Sequence, residues 1–172
     1  MNVLKKLEIP FKGLLIGEHE YDFTISDSFF EAIEYSDIKH GDLSVHINLD
    51  KQSGMIVLNF SIQGAVTLPC DRCLEYFSFP IDAHEMLIVK FGPERLEESD
   101  EVIILPETDH SLQLWSFIYE YISLQIPYRK VHPDDENGNS TCNQEFIEKI
   151  EQISKSNHSD PRWDALKDIN FD

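Results

Sequence analysis

Met55-Ile56-Val57-Leu58-Asn59-Phe60-Ser61-Ile62-Gln63-Gly64-Ala65-Val66, then the bend Thr67-Leu68-Pro69-Cys70-Asp71-Arg72-Cys73-Leu74-Glu75, then Tyr76-Phe77-Ser78-Phe79-Pro80-Ile81, form one unbroken stretch. The flanks are rich in β-branched and aromatic residues with partial alternation, so both read as strands. The second resumes in Met86-Leu87-Ile88-Val89-Lys90-Phe91. A Cys-x-x-Cys held at a strand-to-strand turn is how a zinc knuckle offers two thiolates to one ion. A thioredoxin-like redox pair would instead open a helix after a strand.

Upstream, Leu43, Val45, Ile47 and Leu49 alternate with Ser44, His46 and Asn48, the clearest period-2 pattern in the chain. Asp50-Lys51-Gln52-Ser53-Gly54 is a polar turn into the next strand. Residues ~40–91 therefore predict an antiparallel meander with the cysteine turn at one end. Before it, Val3–Ile9 predicts a first strand ended by Pro10, and Glu18–Ile25 alternates as a half-exposed strand. Ser26 or Asp27 can cap a short helix through Phe29, Phe30 and Ile33.

After the meander the composition changes. Glu94, Glu97, Glu98, Asp100 and Glu101 crowd around Arg95, which reads as an acidic surface loop, and Val102–Leu105 as a short strand or extended segment. Leu112–Ile122 is apolar on nearly every side, the mark of a buried helix, and Pro127 ends any helical continuation beyond Ile122. Residues 128–142 are a loop dominated by Asp, Asn and Gly. Thr141 with Gln144 fits a capping box for a helix carrying Phe146, Ile147, Ile150 and Ile153, with Cys142 in its first turn. A polar linker leads to Asp160-Pro161, the start of a last short helix bearing Trp163 and Leu166. The fold class expected is α+β, an antiparallel sheet packed with a buried helix and short C-terminal helices. Residues 1–154 form one domain in this reading, and 155–172 a linker and final helix.

The chain has 172 residues, 41% hydrophobic and 27% charged, suited to one continuous core. No apolar run reaches the ~20 residues that span a bilayer, and no apolar segment follows Lys5-Lys6 as in a signal peptide. Three cysteines make no disulfide framework, and reduced thiols in a cytoplasm are expected. The net charge of -18 disfavours a broad grip on bare nucleic acid, whose binders present basic faces. It favours a basic protein partner, or simple solubility.

Two residues can complete a zinc site with Cys70 and Cys73, namely His132 and Cys142. A Cys3His set suits zinc, and four protein donors leave no open position, so the site would be structural. The plainer reading is two thiols buried beside a sheet, a capping cysteine and a loop histidine. No Gly-x-Ser-x-Gly elbow, phosphate-cradling glycine loop or His-Glu-x-x-His appears, so no enzymatic activity is expected.

Pro69-Cys70-Asp71-Arg72-Cys73-Leu74-Glu75 followed by Phe77, Phe79 and Ile81, with a strand ending near Phe91, resembles the YceD-like family of bacterial large-ribosomal-RNA accumulation proteins. The acidic loop, the helix leading into Ile126-Pro127 and the closing Asp160-Pro161-Arg162-Trp163-Asp164-Ala165-Leu166 fit in order, from about residue 40 onward. The resemblance implies a non-enzymatic α+β protein that supports accumulation of large-subunit ribosomal RNA, hence ribosome biogenesis. Many members carry a second cysteine cluster with a Gly-Leu-Cys segment. This chain departs from that and offers His132 and Cys142 in the corresponding region. The expected partner is a basic ribosomal protein or a pre-ribosomal large-subunit particle. Two alternatives stand beside it: direct RNA binding through Tyr128, Arg129 and Lys130, and a zinc-dependent hydrolase.

Overall fold

A computed structural model of the chain describes residues 3–155. The expected boundary after residue 154 and the expected helix at Asp160–Leu166 involve residues 156–172, which lie outside the described residues. The described chain sorts into two compact units, one of residues up to Pro69 with Tyr76–Lys130, the other of Cys70–Glu75 with the chain from Val131 on.

The first unit is built on a six-stranded sheet in the order β2 (Gly17–Ile25), β3 (His40–Lys51), β4 (Met55–Pro69), β5 (Tyr76–Gly92), β7 (Val102–Pro106), β6 (Leu96–Ser99). Its centre is the expected meander: β3 (His40–Lys51), β4 (Met55–Pro69) and β5 (Tyr76–Gly92), antiparallel over their whole lengths. Leu43, Val45, Ile47 and Leu49 on β3 join Ile56, Leu58, Phe60, Ile62, Val66 and Leu68 on β4 and Ile81, Ala83, Leu87 and Val89 on β5 as one buried face. Period-2 alternation alone puts these side chains on one side, and their burial drives the sheet onto its cover. Gly64 carries φ +147 where β3 and β4 come close. A Cβ there would land on the carbonyl oxygen of Asp42 and 2.7 Å from Leu43 Cα, so only glycine fits.

Two shorter additions extend the sheet. β2 (Gly17–Ile25) pairs antiparallel with β3 at one edge. At the other, the chain leaves β5, skips a strand position to form β6 (Leu96–Ser99), and returns as β7 (Val102–Pro106) in the vacant slot. β7 thus runs parallel to β5 and antiparallel to β6. The acidic stretch read as a loop therefore contains a strand, formed because β7 offers its outer edge to Leu96–Ser99.

The cover comes from α1 (Asp27–Glu31), which buries Phe29 and Phe30, and α2 (Trp115–Leu124), which buries Ile118, Tyr121 and Ile122. Tyr121 meets Phe60 edge-on at 5.2 Å. The buried helix is present but begins later than its apolar run suggested. Leu112 and Gln113 form β8, paired with β1 (Glu8–Ile9), and Leu114 donates to the Leu7 carbonyl at 2.8 Å. The same pairing shortens the expected first strand to two residues, behind a 3₁₀ turn at Val3–Lys6. Among the described residues no helix is long and apolar enough to cross a membrane. With a mostly antiparallel sheet and a few helices, the fold is α+β.

Candidate metal centre

The second unit starts with the six-residue bend between β4 and β5. Cys70 N–H donates to Glu75 O, and Leu74 N–H to Cys70 O, each at 2.9 Å. Closing so tightly places Leu74 at φ 62, the left-handed region a leucine rarely enters. Arg72 N–H then points at Cys70 Sγ, 3.4 Å away. Both cysteine side chains turn inward and are buried.

The other half comes from the loop after Val131. His132 and Cys142 are ten residues apart, a spacing from which no site emerges without the fold. Asp135 closes the gap. Its carboxylate accepts from the N–H groups of Asn137 at 2.9 Å and Asn139 at 2.7 Å, and from Asn139 Nδ2. Those bonds, led by Asn139, hold its pKa below the usual 3.8. Asp134 pairs with Ser140 as an isolated antiparallel bridge, and Thr141 Oγ1 donates to Pro133 O at 2.6 Å. The loop is thereby folded back on itself, with His132 and Cys142 at its base.

Beyond the loop runs α3 (Gln144–Lys155). Its N-cap is Asn143, whose Oδ1 accepts from Phe146 N–H at 3.1 Å and whose carbonyl accepts from Ile147 N–H. The capping box expected from Thr141 is thus displaced, because Asn is at least as good a cap and Thr141 serves the loop. Cys142 lies just outside the first turn rather than in it.

All four donor atoms converge within 4.8 Å of one another, with the three cysteines buried and His132 half-buried. Cys70 Sγ and Cys142 Sγ are 3.8 Å apart. His132 Nδ1 lies 3.4 Å from Cys73 Sγ and 3.8 Å from Cys142 Sγ. A tetrahedron with zinc–sulfur bonds near 2.3 Å and a zinc–nitrogen bond near 2.0 Å has edges of about 3.8 Å between sulfurs and about 3.5 Å from sulfur to nitrogen. The donor set can hold one metal ion, and the three separations above lie close to the edges of such a tetrahedron.

Electrostatics divide the thiols. Burial opposes ionisation of Cys70, but N–H groups of Cys73, Arg72 and His132 outweigh it and bring the thiol down to about 6. Cys142 moves the other way. The Ser140 hydroxyl favours its thiolate, yet burial and the sulfurs of Cys70 and Cys73 together push it up. One thiolate is ready at neutral pH, and crowding resists a second negative charge beside it, which a cation would relieve.

Further hydrogen bonds link the two halves, and sequence reading missed them. Arg72 Nη1 reaches Ser140 Oγ at 3.3 Å, and Ser140 Oγ also accepts from Cys142 N–H. Asn143 Nδ2 donates to Glu75 Oε1 at 2.6 Å. Each partner is an ordinary polar residue in a turn, so no local pattern marks it.

Comparison with known proteins adds identity to this geometry. The family model for the large ribosomal RNA subunit accumulation protein YceD matches residues 58–170. The uncharacterized protein YlbN of Bacillus subtilis (strain 168) is 26% identical over 152 residues, covering 87% of each chain. No solved structure matches. Since the family match takes in well over half of the chain and all four donors of the cluster, this protein belongs to the YceD family.

Proposed function

We propose that this protein is a ribosome-biogenesis factor that supports accumulation of large-subunit ribosomal RNA without catalysing a reaction. It does so by binding a basic ribosomal protein, alone or on a pre-ribosomal large-subunit particle, through its acidic surface. Cys70, Cys73, His132 and Cys142 hold one structural zinc ion in this reading. The observation that carries it is family membership in a chain of net charge -18, which suits a basic partner far better than bare phosphate. Four protein donors around one ion also favour a structural over a hydrolytic metal, because a catalytic zinc keeps one position for water.

Capture from a cell lysate at native abundance tests it. Large-subunit components should be recovered, and recovery should fall as salt is raised past the range in which exposed charges are screened. Recovery of none at low salt overturns the proposal. One observation supports direct RNA contact as a second reading. Tyr128 is fully exposed beside Arg129, an arrangement able to stack a base and meet a phosphate. A gel shift with large-subunit RNA that disappears on reversing the charges of Arg129 and Lys130 would favour it, and no shift by the intact protein would end it.

A further inference from the structure

The two edges of the six-stranded sheet are built differently. β6 is four residues long and its register with β7 shifts between Glu97 and Ser99, a short and irregular edge of the kind that resists further pairing. β2 has nine residues in unbroken register with β3, from Gly17 opposite Lys51 to Ile25 opposite Leu43. It contains no proline, lysine or bulge. Among the described residues no strand pairs with its outer side. Every second residue of an antiparallel edge strand turns its N–H and C=O away from the sheet, so β2 presents a ladder ready for another strand.

Its side chains specify what can pair there. Glu18, Glu20 and Asp22 are exposed on one face, and Glu18 lies across from Asp50. Asp22 meets His46 Nδ1 at 2.9 Å, yet its side chain remains 84% exposed. On the other face Tyr21 and Phe23 are half-buried with rings stacked at 6.4 Å. Leu15 and Ile16, just before the strand, are largely exposed apolar residues. The nearby cation, Lys51, is engaged through Nζ with the carbonyls of Phe11 and Leu14.

A second copy of the chain suits this edge poorly. Antiparallel self-pairing about Glu20 would set Glu20 against Glu20 and Glu18 against Asp22, and like charges directly opposite one another destabilise a sheet. Self-pairing about Tyr21 still opposes Glu20 to Asp22. The acidic row that disfavours self-pairing is complementary to a strand with cations at alternate positions.

We infer that β2 is a docking edge for an extended protein segment that alternates basic and apolar residues, added to the sheet as a seventh strand. Lysines or arginines of the segment lie beside Glu18, Glu20 and Asp22, and its apolar side chains continue the Tyr21–Phe23 face. Main-chain bonds supply the anchoring and the alternation supplies the choice of partner. The inference rests on the reading of a basic protein partner proposed above, and locates the surface that reading leaves open.

The test uses the whole chain, labelled with ¹⁵N, and the synthetic peptide Lys-Val-Lys-Val-Lys-Val-Lys. Binding should slow hydrogen exchange of the outward amides in Gly17–Ile25 and leave Leu96–Ser99 unchanged. The triple variant Glu18→Gln, Glu20→Gln, Asp22→Asn should keep the wild-type thermal transition, since all three side chains are exposed, and lose about tenfold in affinity at low salt. The same peptide N-methylated throughout should not bind. Equal binding by the N-methylated peptide, equal affinity of the triple variant, or absence of new protection in β2 each overturn the inference. So does protection of the same amides by oligouridylate, which would give the edge to RNA. The two proposals fail separately. If the triple variant captures large-subunit components from lysate as well as the wild type does, the edge is wrong and the ribosome-linked role stands. If the wild type captures none, that role falls whatever the peptide does.

Discussion

Withdrawing the zinc ion proposed for the thiol cluster should loosen the segment that carries it and leave the sheet standing. In the described part of that unit the only buried side chains are Cys70, Cys73 and Cys142. The larger unit, by contrast, buries a continuous core from Leu7 to Ile122. Little apolar burial is left to hold the bend and the loop together once the ion is gone. Structural zinc sites contribute roughly 10–16 kcal/mol at pH 7, ample to replace a missing core. Ionising a thiol of pKa 9.0 at pH 7 costs about 2.7 kcal/mol, from two pH units at about 1.36 kcal/mol each. Cys70, at about 6, is already ionised and escapes that cost, while Cys142, raised above 9.0, bears more than that. Zinc must therefore displace the Cys142 proton at neutral pH, and affinity should rise by at least about tenfold per pH unit between 7 and 8. Below pH 6 the Cys70 proton competes as well, and the dependence should steepen. Hydrogen exchange with and without a chelator reads the structural effect. Amides from His132 to Phe146 and in Cys70–Glu75 should lose protection, while those of β3, β4 and β5 keep theirs. Undiminished protection at Cys142–Phe146 after complete metal removal would contradict this account, as would purified reduced protein that takes up no zinc.

Other outcomes hinge on single side chains. Asp135→Ala removes the carboxylate that closes the loop between His132 and Cys142, and zinc affinity should fall by about tenfold, read by competition with a chromophoric chelator. Gly64→Ala forces a side chain onto the Asp42 carbonyl at φ +147 and should cost about 2–4 kcal/mol, seen as a lower urea midpoint at constant slope. Among the described residues the buried Tyr121 hydroxyl has no hydrogen-bond partner, so Tyr121→Phe should stabilise by about 1 kcal/mol. Burial first, then Glu120, Glu85 and Glu101, push that phenol up to about 12. A folded pKa above the unfolded value of about 10 means stability held below pH 10 and lost as pH rises toward 12. The Phe variant should lack that component of the alkaline loss in thermal scans.

Much of this molecule is legible without coordinates, for a physical reason. Alternation at Leu43, Val45, Ile47 and Leu49 depends only on the two-residue repeat of a strand, so the central meander and its buried face arise from local chemistry. The Cys70–Cys73 half of the cluster is equally local, since a tight turn needs only neighbouring residues. Where partners are distant, the chain is silent. Leu112 and Gln113 look helical until β1 claims them, and Leu96–Ser99 looks like loop until β7 offers an edge. His132 and Cys142 can be named as donors by residue type. Their meeting with the other two depends on Asp135 folding the loop and on Arg72–Ser140 and Asn143–Glu75 joining segments 68 positions apart. Contacts that local patterns do not encode are decided by tertiary packing, and the last two donors of this cluster are of that kind.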